Sequence, residues 1–175
     1  GIKALTFDVG GTVLDWHTGT SRALAVWGEA RGVSLDWAAV ANEWRRQTLG
    51  QMTGTDGDGI RTGPLADLNI DGVHKALVGP AIEKHGGPAP SDDEAQALAM
   101  AWHGTPPWPD SSPGITRLNA KYITSTLTIL SIALIVDASR AAGFRWDAVI
   151  SCEMLDVYKL NPKVYRTGAR LLQLE

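Results

Sequence analysis

One short apolar run, Ile2–Val9, stands apart from every other strand-like segment, cut off from them by a long stretch of helical periodicity reaching about His103. That isolation constrains the fold most. A lone strand cannot satisfy its backbone hydrogen bonds, so this one must pair with strands much later in the chain. The run also ends in a carboxylate, Asp8, followed at once by Gly10-Gly11. In open α/β sheets, the carboxyl end of a strand is where ligands bind.

The stretch that follows reads as a series of helices. Thr20–Ala30 carries Leu24 and Trp27, and Gly32 can stop it. Asp36 can cap a second helix whose apolar face holds Val40, Ala41 and Trp44. Gly50–Gly63 has no period and reads as a loop; its Asp56 and Asp58 lack the rest of a calcium-binding loop. Asp71 can cap a third helix, with Val73, Leu77, Val78, Ala81 and Ile82 as its stripe and Gly86-Gly87 as its end. Ser91-Asp92-Asp93-Glu94 fits a capping box, opening a fourth helix through Leu98 and Trp102. Pro106–Gly114, with four prolines, then breaks the pattern as a domain boundary would. Beyond it, Ile115–Lys121 reads as helix, Tyr122–Leu127 as strand, and Ile132–Ala142 as helix closed by Gly143. Ala148–Ser151 reads as a short strand. Asn161-Pro162 opens a last helix carrying Val164, Leu171 and Leu172. The pattern predicts an α/β fold with a parallel sheet and helices inserted after the first strand. A pocket is expected between the two layers.

Composition excludes several classes. A formal net charge of -3 argues against nucleic acid or an anionic membrane surface as partner. The longest apolar stretch, near Leu127–Val136, is broken by Thr128 and Ser131 and is too short to span a bilayer. Lys3, then a short apolar run, then Asp8 is not a signal-peptide pattern. The single cysteine, Cys152, cannot form an internal disulfide, suits a reducing cytoplasm, and is expected to be packed. His17, His74, His85 and His103 show no metal-ligand spacing and are expected on the surface or among the inserted helices. Seven tryptophans against two phenylalanines supply large apolar surfaces, for the core or a pocket wall.

Asp8 is the sharpest chemical candidate. Gly10 and Gly11 allow a tight turn that leaves its carboxylate reachable, and Thr12 can hydrogen-bond to it. A carboxylate so placed can act as a nucleophile and form an ester. It can also simply cap the turn. Asp8-Val9-Gly10-Gly11-Thr12 is similar, too, to the phosphate loop of sugar kinases of the actin-like ATPase fold. That alternative expects a β-hairpin next, whereas Trp16-His17-Thr18-Gly19 leads towards helix.

Further segments add to this. Phe7-Asp8-Val9-Gly10-Gly11-Thr12-Val13, continued by Leu14-Asp15-Trp16, resembles the first motif of the haloacid dehalogenase superfamily. Trp108-Pro109-Asp110-Ser111 with Pro113-Gly114, then Trp146-Asp147-Ala148-Val149-Ile150-Ser151 with Glu153, resemble the linker and a later strand of its L-2-haloacid dehalogenases. Tyr158-Lys159-Leu160-Asn161-Pro162, followed by Val164-Tyr165, resembles their third motif. These matches keep the family's order from Ile2 to the end of the chain.

The resemblance implies a Rossmann-like core from residues 1–15 and 106–175, its last strands absent, with a helical cap from 16–105. It implies that Asp8 attacks C2 of a small L-2-haloalkanoic acid, expels halide, and forms an ester that water hydrolyses to a 2-hydroxy acid. Lys159 would hold the Asp8 carboxylate, Thr12 and Thr128 would supply hydroxyls, and Arg45 would meet the halide and the substrate carboxylate, with Arg46 as its competitor. Gly10, Gly11 and Ile129 fall at the remaining halide- and substrate-facing positions. The superfamily's phosphatases carry a second Asp at position 10 to protonate an alkoxide, and Gly10 cannot. No metal or other cofactor is expected. Such enzymes commonly dimerise, so the resemblance admits a homodimer, which the sequence itself does not show.

The chain departs from the pattern at three points. The dehalogenases carry an aromatic residue where Gly10 stands. They show Ser-Asn-Gly-Asn where this chain has Thr128-Ile129-Leu130-Ser131, so the hydroxyl is kept and the amide lost. Their fourth motif falls beyond Glu175. The alternative to an active dehalogenase is therefore a catalytically impaired or truncated relative.

Overall fold

The computed structural model describes residues 1–54, 69–155 and 157–174. Strand β1 (Ala4–Phe7) pairs in parallel with β2 (Ile123–Thr126), in the register Ala4↔Ile123 to Phe7↔Thr126. The isolated first strand thus finds its partner far along the chain. Residues 147–152 run along the other side of β2, where Asp147 N donates to Thr124 O (2.8 Å) and Cys152 N donates to Thr128 O (2.8 Å). The strand expected over Ala148–Ser151 is reduced there to isolated bridges, Ser125↔Ala148 and Thr128↔Ser151. A side chain causes this. Thr126 Oγ1 accepts from Ile150 N (2.9 Å) and donates to Ile150 O (3.1 Å), where backbone groups would otherwise pair.

After β1 come four helices, α1 (Trp16–Glu29), α2 (Trp37–Thr53), α3 (Ile70–Lys84) and α4 (Asp92–Met100), and a 3₁₀ turn, Ala101–Gly104. Each helix packs on the next. Helix α1 starts four residues before the expected Thr20 because Asp15 caps it, accepting from Thr18 N (3.1 Å). Gly28 faces Trp37 so closely that any Cβ there would collide with the indole, so only glycine lets α1 approach the start of α2. Asp36 caps α2, which closes on Gly54 in the left-handed conformation. The rest of the expected loop, with Asp56 and Asp58, lies outside the described residues.

Asn69, not Asp71, caps α3. Asp71 sits inside the first turn and accepts instead from Ser131 Oγ (2.6 Å). The capping box on α4 is complete: Ser91 Oγ accepts from Glu94 N, and Ser91 N donates to Glu94 (2.8 Å). Ser91→Ala removes one half of it and should cost about 1 kcal/mol, read as a lower denaturation midpoint in urea.

The chain then returns beside its own point of departure. Leu14 bridges Pro107, Asp15 N donates to Pro106 O (2.8 Å), and Trp108 N donates to Val13 O (3.1 Å). Helix α5 (Ser111–Asn119) starts within the Pro-rich segment and includes Pro113 near its first turn, where the missing N–H costs little. Helix α6 (Ile132–Ala142) follows β2, capped by Ser131 and closed by Gly143. Helix α7 (Pro162–Leu171) is capped by Asn161; Val164 is buried on it, while Leu171 is exposed. The fold is α/β, with seven α-helices around a small parallel sheet among the described residues. None of these helices is long and apolar enough to cross a membrane.

Candidate active site

The carboxyl ends of the strands and α2 enclose a cavity of about 200 Å³. Asp8 and Gly10 reach it from β1, and Thr128, Ile129 and Leu130 from β2. Lys159 and Leu160 come from the loop before α7, and Arg45, Leu49 and Thr53 from α2. Residues 45, 49 and 53 are four apart, so one face of the helix presents all three. A larger cavity, about 650 Å³, lies between α1 and α4, is mostly apolar, and includes neither Asp8 nor Lys159.

Lys159 Nζ donates to Asp8 Oδ1 at 3.0 Å, joining residues 151 positions apart. The Asp8 side chain is 39% exposed and that of Lys159 18%, so the carboxylate can be reached while the ammonium stands beside it. The turn after Asp8 is tight: Val13 N and Leu14 N both donate to Val9 O, and Gly11 has φ 95°, a conformation that suits glycine. From this turn the chain passes directly into α1, so the hairpin required by the phosphate-loop alternative does not form.

Arg45 is the cation of the opposite wall. Its guanidinium lies 5.5 Å from the Trp16 ring centroid and 5.6 Å from that of Trp102. Nη1 is buried without a hydrogen-bond partner. Burial pushes the guanidinium pKa down, and the Asp8 carboxylate opposes that shift. A guanidinium at the wall of a small cavity suits an anion bound there. Arg46 is separated from this role by its own partner, since it pairs with Glu43 at 2.8 Å and is largely exposed.

The other expected residues divide. Thr128 is fully buried at the cavity, its Oγ1 accepting from Leu130 N (3.3 Å) and keeping its own proton for donation. Ile129 lines the cavity with hydrocarbon. A Cβ on Gly10 would lie 3.6 Å from Arg45 Nη2 and from Leu130, an ordinary contact, so glycine there widens the cavity. Thr12 is not brought to Asp8. It is exposed near the apex of the turn and lines a separate recess with Phe7, Asp110 and Ile115. Gly11 is also outside the cavity wall, its carbonyl accepting from Trp108 Nε1 (3.2 Å).

Leu49, Thr53, Leu130 and Leu160 were not among the expected site residues. Their signals were adjacency to Ile129 and Lys159, and helical spacing from Arg45. The histidines belong to the inserted helical segment, one of the two expected settings, and two of them are buried. His74 is fully buried against Trp44 and Trp102. His103 is buried too, with Nδ1 2.7 Å from Asp137 and Nε2 3.5 Å from Asp71. Cys152 is buried and unpaired, as its packing role requires.

No family model matches the sequence, and no curated protein matches it. Solved structures do. The defluorinating L-2-haloacid dehalogenase Rha0230 superposes with a TM-score of 0.86 and 30% identity, over 100% of this chain and 70% of that one. The L-2-haloacid dehalogenase PA0810 gives 0.82 and 26%, over 99% and 72% of the two chains. The enzyme from Xanthobacter autotrophicus, at 20% identity, shares the fold with a TM-score of 0.81, over 100% of this chain and 66% of its own. Likeness over the whole chain to an enzyme 30% identical, together with the strand order and inserted helices, establishes that this chain belongs to the L-2-haloacid dehalogenases of the haloacid dehalogenase superfamily.

Proposed function

We propose that this protein hydrolyses a small L-2-haloalkanoic acid to the 2-hydroxy acid through an ester on Asp8. One observation carries the reading: the Asp8–Lys159 pair and the Arg45 guanidinium line the same small cavity. Lys159 occupies Asp8 Oδ1 and leaves Oδ2 to attack C2. The C–halogen bond breaks as the C–O bond forms, and halide leaves with the bonding electrons. Water then adds to the ester carbonyl, releases the hydroxy acid with inverted configuration, and restores the carboxylate with loss of a proton. Arg45 holds the substrate carboxylate or the departing halide. Halide is stable as an anion, so Gly10 in place of an acid costs the reaction nothing.

The cavity is below the roughly 300–1,000 Å³ of drug-sized sites, which favours a substrate of a few heavy atoms. Pairing of residues 13–15 with 106–108 supports reading 16–105 as a cap inserted into a core of 1–15 and 106–175. A cytoplasmic setting fits the unpaired Cys152. The test is chloride release from L-2-chloropropionate, followed by one turnover in oxygen-18 water with enzyme in excess. The ester route delivers unlabelled oxygen from Asp8 to the product; labelled product in that first turnover would mean direct attack by water.

A further inference from the structure

The Arg45 side chain does not rest on the ordinary hydrocarbon of a core. His74, Trp102 and Trp16 form a stack of nearly parallel rings. The first two centroids are 4.1 Å apart at 7°, and the next two 5.8 Å apart at 8°. Trp44 closes the stack edge-on, 5.5 Å from Trp102 and 5.8 Å from His74, and its Nε1 donates to the His74 carbonyl at 3.0 Å. The members come from α1, α2, α3 and the 3₁₀ turn after α4.

Both His74 ring nitrogens and Trp102 Nε1 are buried without partners. Leucine or phenylalanine would fill such volume without leaving polar atoms unpaired. Stacking, not hydrogen bonding, holds this histidine. Burial keeps its pKa far below the ordinary value, with Arg45 and His103 adding to the effect, so the ring under Trp102 is neutral. The guanidinium therefore lies against neutral rings, 5.5 Å from the Trp16 centroid and 5.6 Å from that of Trp102.

We propose that Trp102, clamped between His74 and Trp16, is a positioning residue that fixes the Arg45 guanidinium and so sets the affinity of the cavity for halide and carboxylate. This rests on Arg45 being the anion-binding group of the proposed site. Trp102 itself touches no reacting atom.

The experiment combines anion binding with turnover. Chloride and 2-hydroxypropionate are titrated calorimetrically into the wild-type protein and into Trp102→Leu, His74→Ala and His74→Phe, and KM and kcat are measured with L-2-chloropropionate. Trp102→Leu and His74→Ala should weaken anion binding and raise KM about tenfold, the range of a desolvated cation–π contact, with a smaller change in kcat. His74→Phe keeps a ring in the stack and should restore binding. Unchanged anion binding in folded Trp102→Leu overturns the proposal. If that variant does not fold, Trp16→Leu decides on the same criterion, because Trp16 is less buried. If the wild type binds both anions but releases no chloride, and the variants still weaken binding, positioning stands and the dehalogenase reading falls. If chloride is released while the variants bind as the wild type does, the reverse holds. A wild type that binds neither anion overturns both.

Discussion

Asp8→Asn should stop chloride release from L-2-chloropropionate, with kcat falling about a thousandfold or more, as loss of a covalent nucleophile does elsewhere. The substitution is nearly isosteric. The amide oxygen can still accept from Lys159 Nζ, now at 3.0 Å from Asp8, so the cavity should keep its shape. What disappears is the negative oxygen that attacks C2. Lys159→Met tests the other half of the pair. It keeps most of the side-chain volume and removes the charge that orients the carboxylate, and about a hundredfold loss is expected. Melting curves alongside the chloride assay separate chemistry from folding. Turnover that survives Asp8→Asn would remove Asp8 from the mechanism.

The pairing of Asp8 with Lys159 was legible through the family resemblance, because each stands in a segment similar to one of the family's motifs. Gly10-Gly11 follows one, and Asn161-Pro162 follows the other. Helix α6 was legible to the residue, since an apolar run ends at the strong stop signal Gly143. The choice between Arg45 and Arg46 was not. Neighbours on a helix point to different faces, and only the packed structure shows Arg46 meeting Glu43 while Arg45 turns inward. His74 was expected on the surface or among the inserted helices, and its place four residues before Val78 and seven before Ala81, within the apolar stripe of α3, accounts for its burial. The strand over Ala148–Ser151 failed because a threonine hydroxyl competes with the backbone, a contact between segments that no local pattern encodes.

Buried His74 should also make folding stability depend on pH in a window that carboxylates do not share. In the unfolded chain its imidazole titrates near 6.5, whereas in the folded protein burial, then Arg45 and His103, hold it well below. Above 6.5 both states are neutral at this group and it has no effect. As pH falls below 6.5 the unfolded chain takes up a proton that the folded protein refuses, so acid favours unfolding by about 1.4 kcal/mol per pH unit. Between about pH 7.5 and about pH 5 this amounts to roughly 2 kcal/mol. Glu43 behaves differently. Hydrogen bonding from Arg46 holds its carboxyl far below the ordinary 4.5, so its stabilising effect is present above 4.5 and is lost only in stronger acid. Urea denaturation of the wild type and His74→Phe at the two pH values isolates the histidine, because the remaining titrating groups are common to both proteins. The wild type should lose about 2 kcal/mol more than His74→Phe on acidification. Equal losses would mean that His74 takes up its proton within the folded protein, and the stack beneath Arg45 would then carry a charge.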